Sequence, residues 1–79
     1  MEETKMIMET LQNFVNGFGI GISKEDLVLQ AYYFMKAQGY ECYTICDNKY
    51  LGVNDVDYKF IRSKAKNCWT VKEVVKRAM

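Results

Sequence analysis

Cys42, Cys46 and Cys68 are the side chains of this 79-residue chain best suited to hold a metal ion or act as a nucleophile, and they have no histidine to work with. A cysteine or serine nucleophile here has no imidazole base, so the triad mechanisms and every His-ligated metal site fall away. Cys42 and Cys46 lie in a β-forming run, where about 3.3 Å per residue sets their Cα atoms about 13 Å apart. One zinc cannot be gripped by both thiolates at about 2.3 Å from that separation. A helix would bring them closer and still lack a fourth ligand. An odd number of cysteines does not build a disulfide scaffold, so inert, reduced thiols are expected, with no metal and no cofactor.

Three aspartates, Asp47, Asp55 and Asp57, lie in or beside expected turns. Carboxylates so grouped suit acid–base work or a divalent cation. Their spacing matches no EF-hand, and aspartate is an ordinary turn residue because it hydrogen-bonds its own backbone. The run Gly17-Phe18-Gly19-Ile20-Gly21 precedes a helix start, where free N–H groups suit a phosphate. A dinucleotide loop follows a strand, however, and this one follows a helix, so a flexible helix–helix connection is expected.

Charge is the more informative feature. The net charge is +1, yet from Lys59 onward the bases Lys59, Arg62, Lys64, Lys66, Lys72, Lys76 and Arg77 meet one acid, Glu73. Lys59, Arg62, Lys64 and Lys66 suit phosphate contact from a hairpin tip or turn, with Trp69 placed to stack on a base. Lysines also blunt the edges of sheets, Lys76 and Arg77 suit a helix C-terminus, and a lone tryptophan is an ordinary core residue. Nucleic-acid binding through this basic stretch is the alternative functional reading.

The elements that must position these groups follow from periodicity. Residues 3–16 read as a helix, with Ile7, Leu11, Phe14 and Phe18 on one stripe, ending near Gly17. A second helix starts at the N-cap Ser23 and runs to about Gln38, ended by Gly39. Its apolar face holds Leu27, Val28, Ala31, Tyr32, Phe34 and Met35. Residues 40–46 and 50–53 read as a β-hairpin about the turn Asp47-Asn48-Lys49. Residues 56–66 carry both patterns, and the β-favouring run Tyr58 to Ile61 favours a third strand. Thr70 and Glu73 form a capping box, and Val71, Val74, Val75 and Ala78 keep helical spacing, so a short C-terminal helix is expected. A strand from Cys68 to Val75 is the competing reading.

The fold expected is α+β: one domain over residues 1–79, two N-terminal helices packed on an antiparallel sheet of about three strands, and a short C-terminal helix. No basic n-region or apolar h-region opens the chain, and its longest strongly apolar run, Ala31 to Met35, falls far short of the roughly 20 residues that span a bilayer. A cytoplasmic protein without membrane contact is expected. Nine lysines stand against two arginines, asparagine, isoleucine and tyrosine are frequent and proline is absent, which fits an AT-rich genome such as that of a low-GC bacterium or a phage.

Leu29 and Tyr33 fall opposite the second helix's apolar face, one turn apart and therefore adjacent. A helix that already buries a broad face does not need them inside. The leading expectation is a small non-enzymatic interaction or regulatory protein, touching a protein partner or a second copy of itself through Leu29 and Tyr33.

Overall fold

A computed structural model of the chain describes residues 2–74. Its elements are α1 (Glu2–Val15), α2 (Lys24–Ala37), β1 (Cys42–Ile45), β2 (Tyr50–Val53), β3 (Val56–Ser63) and β4 (Cys68–Glu73). In α1, Ile7, Leu11 and Val15 recur every four residues and are buried. The α2 N-cap forms as its sequence requires: Ser23 is extended, with φ −72° and ψ 155°, and its Oγ accepts from the Asp26 N–H at 3.1 Å. Glu25 and Asp26 in its first turn and Lys36 in its last match the helix dipole. Gly39 follows at φ +99°, the left-handed conformation that a side chain would resist. Leu27, Val28, Ala31 and Met35 are buried from α2, and Phe34 stacks on Phe14 of α1 at 4.4 Å between ring centroids.

The sheet is a four-stranded antiparallel meander in the order β1-β2-β3-β4. Residues 56–63 are strand, as the run around Tyr58 favours. The C-terminal helix expected from the Thr70 cap does not form over residues 70–73; residues 68–73 are β4, the competing strand reading, paired with β3 from Tyr58↔Glu73 to Ser63↔Cys68. The rest of that expectation, residues 75–79, lies outside the described residues. Two physical facts decide the correction. Val71 and Thr70 are β-branched, and Trp69 and Val71 two residues apart form an inward-facing pair that a helical reading leaves out. A nine-residue helix is also marginal alone, whereas the eight residues of β3 offer a ready ladder. The sheet therefore has four strands, not about three.

Asn54 and Asp55, at φ 49° and 72°, make a two-residue turn between β2 and β3. Positive φ at both positions matches the twist of the strands, and Asn and Asp accept it more readily than most residues. Asn54 ties this end together, donating from its backbone to the Glu41 carbonyl at 3.0 Å and from Nδ2 to Glu3 Oε2 at 2.9 Å. Three successive left-handed residues, Cys46, Asp47 and Asn48, carry β1 into β2, and the Lys49 N–H closes the turn on the Ile45 carbonyl at 3.0 Å.

Both helices lie on one face of the sheet, where Leu51, Val53, Tyr58, Phe60, Trp69 and Val71 meet the buried residues of α1 and α2. The outer edge of β4 is sealed by one side chain from α1. Gln12 donates from Nε2 to the Trp69 carbonyl and accepts at Oε1 from the Val71 N–H, each at 2.9 Å. The amide thus stands in for a fifth strand on an edge that would otherwise invite pairing with another chain. Gln12→Ala is expected to cost about 1–3 kcal/mol in urea unfolding, the usual range for orphaned polar groups. It should also raise light scattering at high protein concentration. Unchanged values for both would show that the edge needs no such cover.

Tyr58 is fully buried, and its hydroxyl has no hydrogen-bond partner among the described residues. Burial first, then the Glu73 and Glu3 carboxylates, push its pKa up from 10 to about 12. The unfolded chain therefore ionises first. The contribution to stability is whole below about pH 10 and is lost as the pH rises toward 12. Tyr58→Phe keeps the ring and removes the orphaned group. Its unfolding free energy at neutral pH should equal the wild type's or exceed it by about 1 kcal/mol, and its decline between pH 10 and 12 should be shallower. A loss of more than that amount at neutral pH would assign the hydroxyl a bonded role.

Candidate nucleic-acid interface

The strands alternate, so the residues between the core positions form the other face of the sheet, and among the described residues no element packs on it. The register sets them in rows. One row runs Ile45, Tyr50, Lys59 and Lys72 across all four strands. Beside it lie Tyr43, Gly52 and Asp57 on one side, and Ile61 with Thr70 on the other.

Tyr43 lies down across this face. A Cβ on Gly52 would fall 2.0 Å from Tyr43 Cε1, so the ring covers β2 where only glycine allows it. Its hydroxyl reaches β3 and donates to Asp57 Oδ1 at 3.1 Å. One ring face is thus held on the backbone while 41% of the residue stays exposed. Partial burial, then Asp57 and Asp55, hold the phenol above its usual pKa, so it remains a neutral donor. Ile61 is also exposed, at 38%. Lys59 and Lys72 are exposed and directly opposed across β3 and β4. Like charges placed so oppose folding.

Charge is polarised along the strands. The turns after β1 and β3 fall at the same end of the meander, carrying Lys49 in one and Lys64 and Lys66 in the other, with Asp47 the exception. The opposite end carries Glu41, Asp55 and Glu73. The basic stretch read from the sequence is therefore divided by the fold. Lys59 and Lys72 lie on the uncovered face, Lys64 and Lys66 in an exposed turn, and Arg62 on the helix side of β3. Lys76 and Arg77 lie outside the described residues.

Trp69 corrects the expectation of a stacking indole. It is 1% exposed, its Nε1 donates to the Gly19 carbonyl at 3.0 Å, and the Arg62 guanidinium lies 5.0 Å from its ring centroid. The glycine-rich loop thus offers Trp69 an acceptor. On the open face of the sheet the exposed aromatic is Tyr43, which charge and motif reasoning passed over because only strand register reveals which alternate residues share that face.

Leu29 is half-buried, whereas Tyr33 is 59% exposed with its ring edge-on to Tyr32 at 5.2 Å. Cys42 is half-buried on β1, Cys46 is exposed in the turn, and Cys68 pairs in register with Ser63. No helix among the described residues is long and apolar enough to cross a membrane. No family model matches the chain, and neither a curated protein nor a solved structure does.

Proposed function

We propose that the protein is a non-enzymatic nucleic-acid-binding protein that lays a single strand across the uncovered face of its sheet. The observation that carries this reading is the directly opposed pair Lys59 and Lys72 beside the flat-lying Tyr43. Two ammonium groups side by side work against folding, and a polyanion turns that cost into an attraction. An aromatic ring lying on a sheet offers its outer face to a base, and such stacking accepts any base. A single strand suits this surface better than a duplex, whose bases are already stacked on one another. Fluorescence anisotropy with a labelled oligothymidine and a duplex of equal length, at about 50 mM salt, tests the reading. Binding to the single strand that weakens steeply with added salt is expected. No binding, or equal binding to the duplex, would overturn it.

Self-association through α2 is a second reading, supported by the exposed Tyr33 ring against Tyr32, with Leu29 one turn away. It predicts a dimer in sedimentation equilibrium that Tyr33→Glu converts to monomer. A wild type that stays monomeric at high concentration would end it.

A further inference from the structure

β3 outruns its neighbour. It spans Val56–Ser63, but its pairing with β2 stops at Tyr50↔Lys59, so among the described residues no strand flanks 60–63 on that side. The Val74 N–H bonds the Asp57 carbonyl, which fixes the alternation: odd residues of β3 turn toward β4 and even residues toward β2. Phe60 and Arg62 therefore direct their main-chain groups into the gap. A cavity of about 730 Å³ occupies this notch, bounded by the start of α2, the end of the β1–β2 turn and β3. Among the described residues four cationic side chains line it, Lys24, Lys49, Lys59 and Arg62, against one acid, Glu25.

Three separate elements bring these charges together, although the protein as a whole is almost neutral. Arg62 is fixed in advance. One guanidinium nitrogen donates to the Ile22 carbonyl at 2.9 Å and the group rests over the Trp69 ring, so little side-chain freedom is left to lose on binding. Tyr50 and Ile61 add apolar wall. The volume lies within the usual range for small-molecule sites and is far more than a bare phosphate needs.

We infer that this notch seats one nucleotide unit of the bound strand, its phosphate among Lys24, Lys49 and Arg62 and its sugar or base against Tyr50 and Ile61. This rests on the single-strand reading above and deepens it. Tyr50, Lys59 and Ile61 belong both to the notch and to the uncovered face, so a strand leaving the notch runs directly onto the Tyr43 ring.

The test is an amide-resolved NMR titration of the wild type and of the double variant Lys24→Glu, Lys49→Glu, whose two sites are exposed. Thymidine 5′-monophosphate and thymidine serve as small probes, with oligothymidine as the strand. The monophosphate should shift the amides of residues 23–25, 49–50 and 60–62 in the wild type, and thymidine should not. The double variant should lose those shifts and bind oligothymidine at least about tenfold more weakly, while the strand still shifts the amides around Tyr43. If the monophosphate leaves the notch amides unmoved and the variant binds the strand as the wild type does, the notch assignment is overturned and the strand reading stands. If the monophosphate shifts the notch amides but no strand binds the wild type, the strand reading fails. The notch is then a site for a free nucleotide, and its assignment to a strand falls too.

Discussion

Trp69→Ala is expected to strip the fold of a large share of its stability and to lower its urea midpoint steeply. Truncating a buried tryptophan costs about 3–5 kcal/mol. A domain of 79 residues has only about 4–12 kcal/mol in all, from about 0.05–0.15 kcal/mol per residue. Trp69 also joins three parts of the molecule. Its indole holds the α1–α2 connection at Gly19, its carbonyl takes the Gln12 amide of α1, and its ring supports Arg62. Trp69→Phe fills most of the volume but loses the bond to Gly19, so it should cost about 1 kcal/mol from that bond, plus the smaller ring's lost packing. Circular dichroism during urea unfolding separates the two variants. An alanine variant that unfolds within 1 M urea of the wild-type midpoint would mean that Trp69 is not the keystone of this core.

Lys59→Glu should strengthen the fold and weaken strand binding at once. In the fold it turns a like-charge pair with Lys72 into an opposite-charge pair, worth roughly 0.2–1 kcal/mol. In binding it removes one phosphate contact and adds a repulsion. Each lost contact to a single strand reduces the slope of log affinity against log salt by about 0.7. Lys59→Glu combined with Lys72→Glu should flatten that slope by about 1.4 and restore the like-charge penalty to the fold. The opposite signs of the two effects matter most. A lysine kept only for solubility would give the gain in stability without the loss in binding, and that outcome would remove the main support for the proposed interface.

Much of the architecture was legible in the sequence. Ser23 and Gly39 bracket α2 because caps act locally, and the Ile7–Leu11 stripe of α1 needs only the helical period to be seen. The hairpin of β1 and β2 was readable for the same reason, from β-formers on either side of turn residues. Residues 68–73 were not, because Thr70 and Glu73 mimic a helix cap and the valines fit both periods. Only the ladder that β3 offers from the far side of the four-residue turn decides for a strand, and neither period alone reveals it. The binding surface was legible in part. Lys59 and Lys72 were visible as charges, but their direct opposition depends on register. Tyr43 lying over Gly52 depends on two strands meeting at one position, which neither residue announces alone.

The meander has a consequence for synthesis. Each strand pairs with its neighbour in sequence, so the sheet can zip together from local hairpins as the chain leaves the ribosome. α1 has to wait for β4: it packs chiefly on that strand, and the bonds from Gln12 join residues 57 and 59 positions apart. Until Trp69 and Val71 emerge, Ile7, Leu11 and Val15 have no sheet to lie on. Before β4 is made, the apolar stripe of α1 lacks its main cover, so an unfinished domain is most prone to aggregate through that helix.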